Sequence, residues 1–225
     1  MTISEIKKHA LTSLKGQWGK AVLLTFLVFF ITTVLTLIVE VSLSGGFTNW
    51  LYQEEIPIAA DLINLLISLA LIPLSIATYW FYLNLSRQEN AQIPQVFAIF
   101  KKAGTYFKVI GTSLLVGIFV ILWSLLLIVP GIIKSISYSQ AFFLMKDHPE
   151  YSALEAITES KKRMKGYKGK YFLMYLSFIG WGILSMITLG IGLLWLVPYM
   201  TTSMAVFYDK LINKQNSFEE EEPVI

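Results

Sequence analysis

Three ionisable residues fall inside otherwise apolar stretches and are the first place to look for chemistry: Glu40, Asp61 and Lys134. A charge at the centre of a bilayer costs about 2.5 to 3.5 kcal/mol on insertion scales, so each needs a partner, water or a way to the interface. All three are expected toward the outer ends of their helices, where Lys134 would pair with either carboxylate. Such a cluster reads either as a charged gate or solute contact, or as a structural ion pair with snorkelling side chains. The stretch Lys134-Ser135-Ile136-Ser137-Tyr138-Ser139-Gln140 is unusually polar for an apolar helix. At helical spacing Lys134 and Tyr138 share one face, and Ser135 and Ser139 another. This helix either lines a hydrated path or uses its small residues for close packing and interhelical hydrogen bonds.

Catalytic constellations are largely missing, and no catalytic, cofactor-binding or metal-ligating residue is assigned. His9 and His148 are the two histidines and both fall in polar segments, so neither a H-E-x-x-H zinc site nor a membrane-embedded Ser-His pair can be built. Gly190-Ile191-Gly192 lacks the third glycine of a dinucleotide loop, and there is no P-loop. Asp147-His148-Pro149-Glu150 is a polar corner better explained as a helix-breaking connector than as a cation site. Cysteine is absent, which removes disulfides and thiolate metal sites.

The basic residues carry a different chemistry. Lys15, Lys20, Lys102, Lys108, Lys161, Lys162, Arg163, Lys165 and Lys170 alternate with Gly and aromatics in three short segments. Apolar runs adjoin each segment, so the phosphates they meet are expected to be those of phospholipid headgroups rather than of nucleic acid. Lys and Arg there favour anionic lipid by about 1 kcal/mol each near the surface. Simple topological anchoring is the other reading.

The elements that position these residues follow from the apolar runs. Hydrophobic residues are 55% of the 225 and charged residues 15%, against roughly a quarter charged in a soluble domain. The runs reach the ~20 helical residues that cross a ~30 Å hydrocarbon layer, and unlike barrel strands they do not alternate. Six membrane helices are expected, at 21–44, 59–85, 109–129, 132–145, 171–187 and 191–211. The first lies behind an amphipathic Lys-containing leader, is too long for a cleaved signal, and should remain as a span. The connections at 45–58 (with Glu54 and Glu55), at a tight Pro130-Gly131 turn and at 188–190 contain no Lys or Arg. The positive segments, joined by Lys210 and Lys214, therefore belong in the cytoplasm with both termini.

Leu14-Lys15-Gly16-Gln17-Trp18-Gly19-Lys20 and Met164-Lys165-Gly166-Tyr167-Lys168-Gly169-Lys170 match closely, and Lys102-Ala103-Gly104-Thr105-Tyr106-Phe107-Lys108 is a looser third copy. Ile72-Pro73, Val129-Pro130 and Val197-Pro198 mark the second helix of each unit. The expected fold is all-α and polytopic: three hairpin units, each with an amphipathic cytoplasmic lead-in helix and a basic glycine elbow. Thr2 with Glu5, and Ser152 with Glu155, have capping-box spacing, and Pro94 suits a first helical turn. Leu154, Ile157 and Met164 predict an apolar face lying in the headgroup layer. Residues 1–213 form one transmembrane domain, and 214–225, with Glu219 to Glu222, are expected to be a disordered acidic tail.

These motifs, together with Val129-Pro130-Gly131-Ile132-Ile133-Lys134, Ser177-Phe178-Ile179-Gly180-Trp181 and Leu196-Val197-Pro198-Tyr199, resemble the bacterial membrane proteins catalogued as domain of unknown function 975. The likeness runs from the leader to the sixth helix. It implies a multi-pass protein of bacterial plasma membranes with no established activity, substrate or cofactor. The 45–58 loop and acidic tail match none of its motifs. The function expected on both grounds is a non-enzymatic scaffold or accessory subunit contacting anionic lipid or a membrane partner. The alternative is a transporter or flippase with its path along the fourth helix.

Overall fold

The computed structural model describes residues 2–53 and 55–221, with side chains as far as Asn213. Glu54 and Glu222 lie outside the described residues. The described chain is helical in the order α1 (Ile3–Leu14), α2 (Trp18–Leu43), α3 (Phe47–Tyr52), α4 (Ile58–Ser86), α5 (Ile93–Phe97), a 3-10 turn (Ala98–Lys101) and α6 (Ala103–Leu126). There follow α7 (Ile128–Tyr138), α8 (Ala141–Asp147), α9 (Ala153–Arg163), α10 (Lys168–Leu176), α11 (Ile179–Ile187) and α12 (Leu193–Glu221). Five stretches are long and apolar enough to cross a membrane: α2, α4, α6, α7 with α8, and α10 with α11. Their outward faces suit hydrocarbon and not water, with Leu125 at 78% and Ile187 at 73% exposure. α12 occupies the place of the sixth expected helix and continues to Glu221, because no helix breaker intervenes before Pro223.

One packing pattern recurs around the bundle. The lead-in helix α5 packs on α4, α9 on α8, and α1 on α12, so each rests on the hairpin that precedes it in a ring. α2 touches α4 and α12, and α6 touches α7 and α4. α10 touches α7 and, through Tyr171 against Phe207 at 4.9 Å between ring centroids, α12. The ring closes where α12 meets α1 and α2. Starts of α2, α6 and α10 and ends of α4 and α8 gather at one pole, the basic end, which α12 reaches at Asp209.

Two elbows at that end have the same geometry 150 residues apart. Thr2 with Glu5 and Ser152 with Glu155 form reciprocal caps. Ile6, Ala10 and Leu14 are buried, as are Ala156, Ser160 and Met164. Gly16 and Gly166 then turn the chain at φ +78° and +83°, a conformation that costs a residue with a Cβ about 1 kcal/mol or more. The third segment departs from this. Its chain passes through the 3-10 turn straight into α6, and Gly104 is an ordinary helical residue.

The lead-in helices correct the expectation of apolar faces floating among headgroups. On α9 it is Leu154 that is exposed, while Ala156, Ile157, Ser160 and Met164 are buried against the bundle. From this position α1 and α9 reach two breaks in the membrane helices. α7 ends at Tyr138 and α8 begins at Ala141, which frees the Gln140 amide and the Ser137 carbonyl. Ser160 Oγ accepts from Gln140 N at 3.1 Å and donates to Ser137 O at 2.8 Å. At the break between α10 and α11, Lys7 Nζ donates to Ser177 O at 3.2 Å and to its Oγ at 3.0 Å, and stands 4.0 Å from the Phe178 ring centroid. Burial pushes the Lys7 ammonium below its ordinary pKa.

Ser160→Ala strands both groups at the first break, and should cost about 1 to 3 kcal/mol in thermal unfolding in detergent micelles. Unfolding identical to the parent protein would mean water already serves those groups.

Candidate functional site

The basic end is the first candidate. Lys15, Lys102, Lys161, Lys162 and Lys165 are exposed there, and Lys20, Lys108, Arg163 and Lys170 are half-buried. Two of them show what structural work such a residue does here. Lys108 Nζ donates to the Pro149 carbonyl, and Arg163 Nε to Glu159 Oε1 at 2.6 Å. Lys162 lies 3.8 Å from the same glutamate. Lys15 and Lys20 border a polar pocket of about 440 Å³ between the first elbow and the end of α4, shared with Gln17, Gln88, Glu89 and Asn90. Gln88 holds φ +59°, where glycine is the usual residue.

At the centre of this end lies a clasp that sequence reasoning missed. Arg87, just beyond α4, donates from both terminal nitrogens to Asp147 at 2.7 and 2.6 Å, and from Nε to Asp209 at 2.8 Å. Tyr208 OH donates to Asp147 at 2.9 Å and Ser86 Oγ to Asp209 at 3.0 Å. One guanidinium thus joins the ends of α4 and α8 to α12, and its hydrogen bonds to Asp147 first and Asp209 second hold it above the usual guanidinium range. Beside it Lys146 Nζ donates to Trp80 O at 3.2 Å and to Asn84 Oδ1. The available signal was an aspartate at the positive end of both the fourth and sixth helices, opposite an arginine ending the second. Asp147 is therefore part of the clasp, while its neighbours His148 and Glu150 pair with each other at 3.0 Å.

The expected outer ion-pair cluster is corrected. Among the described residues no ion pair joins Lys134 to Glu40 or Asp61. Glu40 accepts from Trp50 Nε1 at 3.1 Å and Asn64 Nδ2 at 3.2 Å. Asp61 is exposed in the first turn of α4. Lys134 Nζ stands 4.1 Å from the ring centroid of Trp123, in the last turn of α6. Glu40 is meanwhile taken up by donors on α3 and α4, so the cation and the carboxylate each have other partners.

Of the residues expected along a polar path, Tyr138 and Ser139 do come together, in a half-open cavity of about 530 Å³ lined by α4, α6, α7, α8, α10 and α12. Ser135 is exposed and bonds back to Ile132 O at 2.9 Å. Tyr79, Tyr171, Tyr175, Ser75 and Ser113 join Tyr138 and Ser139 on the cavity wall, the rest of which is aliphatic and aromatic. Lys134 is not on it.

No curated protein and no solved structure matches the chain. A sequence profile described as a protein of unknown function, DUF975, matches residues 1–137 and 125–215. The two matches overlap and together take in every helix described above as far as residue 215, so the chain belongs to the DUF975 family.

Proposed function

We propose that the protein is a non-enzymatic scaffold of the bacterial plasma membrane that gathers anionic phospholipid at its basic end, which faces the cytoplasm with both termini. Residues 193–211 of α12 supply a sixth span, and the repeated elbows reflect duplication of a hairpin unit. The observation that carries the reading is an imbalance of charge. Most acidic groups of that end are already engaged, Asp147 and Asp209 with Arg87 and Glu159 with Arg163, while Glu89 stands exposed in the pocket beside Lys15 and Lys20. Glu5 and Glu155 are tied to the amides of Thr2 and Ser152, which hold both carboxyls below the usual carboxylate range. Lys15, Lys102, Lys161 and Lys165 meanwhile stand exposed where lipid phosphates lie. A charged path along the fourth helix has less support, because Lys134, Glu40 and Asp61 do not converge.

The test replaces Lys15, Lys161, Lys162 and Lys165 by glutamine and leaves Arg163 in place. At about 1 kcal/mol per lysine, phosphatidylglycerol retained through detergent extraction should fall at least fivefold, with zwitterionic lipid little changed. Equal retention of phosphatidylglycerol by the variant and the parent protein would remove the proposal.

A further inference from the structure

We propose that the cavity between α4, α6, α7, α8, α10 and α12 holds one long acyl chain of a membrane lipid, with an uncharged ester or hydroxyl group of that lipid at its tyrosine and serine wall. Its volume of about 530 Å³ falls within the roughly 300 to 1,000 Å³ of small-molecule sites. Ser75 and Tyr79 stand ~16 and ~10 Å along α4 from Ser86, at 1.5 Å per residue. The cavity is therefore in the half of the membrane nearer the basic end, where hydrocarbon surrounds the bundle.

The wall suits such an occupant. Ile72, Ile76, Val116, Val120, Phe142 and Met204 supply its apolar surface. No Lys, Arg, Asp, Glu or His lines it, so a charged headgroup would find no counter-charge. It is not wholly apolar either. Ser75, Ser139 and four tyrosines line it as well. A chain carrying an ester or hydroxyl suits such a mixed wall, together with the dispersion contacts that an empty apolar space forfeits.

Gly117, on the same wall, carries the argument further. A Cβ added there would meet nothing within 4 Å, whereas one added at Gly131 would stand 2.0 Å from Ser124 Oγ. Close packing therefore explains Gly131 and not Gly117. Gly111 on the same helix also meets nothing, so what sets Gly117 apart is its place on the cavity wall, where a larger side chain would enter the space.

The experiment uses full-length protein in nanodiscs containing trace phosphatidylglycerol or diacylglycerol with a photoreactive diazirine in mid-chain. Cross-links are located by peptide mass spectrometry. Labelling of the buried Tyr138 and Tyr171 should exceed that of the lipid-exposed Ile183 on α11 several-fold. Gly117→Leu should lower the tyrosine labelling at least fivefold while leaving Ile183 labelling and thermal unfolding unchanged. Val120→Trp, filling the same space from one turn further along α6, serves as the second variant should the first not fold. Competition by unlabelled diacylglycerol identifies a free neutral lipid as the source of the chain, and competition by phosphatidylglycerol a phospholipid entering sideways; either supports the site. Tyrosine labelling no stronger than that of Ile183, or undiminished in both filled variants, overturns it. The lysine variants of the scaffold test leave this labelling unchanged, so the two proposals fail separately.

Discussion

Arg87→Met is expected to lower the stability of the protein by about 3 kcal/mol, seen as a fall in the midpoint of thermal or denaturant unfolding in micelles. The substitution removes every positive group from between Asp147 and Asp209 and leaves two carboxylates with a serine and a tyrosine hydroxyl as their remaining donors. Removing one member of a buried pair costs about 3 to 5 kcal/mol, because the other charge stays behind without compensation. The side chains of Arg87, Asp147 and Asp209 are 27%, 21% and 20% exposed, so the lower end of that range applies. Adding Asp147→Asn and Asp209→Asn to Arg87→Met should recover most of the loss, since neutral amides need no counter-ion. If Arg87→Met unfolded at the parent's midpoint, or if the triple variant were no better than the single one, the clasp would be ornamental and the three helices would be held by packing alone.

The clasp also shows where sequence reading stops. The courses of α2, α4 and α6 were legible because an uninterrupted apolar run has one solution in hydrocarbon, a helix that satisfies its own backbone. The two elbows were legible for a local reason: the reciprocal caps and the glycine at positive φ need only residues close in sequence. The breaks at Ser139 and Ser177 were not. Nothing in the intrinsic preferences of Ser-Gln or Ser-Phe stops a membrane helix, and the freed groups are served by Ser160 and Lys7 from helices distant in sequence. The ion pair expected of Lys134 failed for a related reason, since the partners that Glu40 finds instead, Trp50 and Asn64, depend on how α3 and α4 pack. Of the candidate site, Tyr138 and Ser139 were found through the polarity of their helix, but the tyrosines facing them lie on α4 and α10. Their convergence depends on how the hairpins pack around the ring, which no local pattern encodes.

Gly131→Ala is expected to destabilise the protein by about 3 kcal/mol, the upper end of the usual cost of overpacking. The turn between α6 and α7 is tighter than the expected Pro130-Gly131 turn: Leu127, extended at φ −161° and ψ 144°, is the single residue between the two helices. Pro130 then falls in the first turn of α7, where its missing amide hydrogen is no loss. So short a connection presses the start of α7 against the last turns of α6. An added methyl at Gly131 would lie 2.0 Å from Ser124 Oγ, 2.9 Å from its Cβ and 3.0 Å from its Cα. The serine can rotate its hydroxyl away, but its Cβ and backbone cannot move without separating the helices. Ser124→Gly removes both side-chain obstacles at a helix cost of about 1 kcal/mol, so the double variant should be more stable than Gly131→Ala alone by roughly 1 to 2 kcal/mol. That reversal of sign, with Ser124→Gly harmful in the parent and helpful beside Gly131→Ala, is what direct contact between the two positions requires. Simple additivity of the two changes would show that the helices do not approach this closely in the membrane.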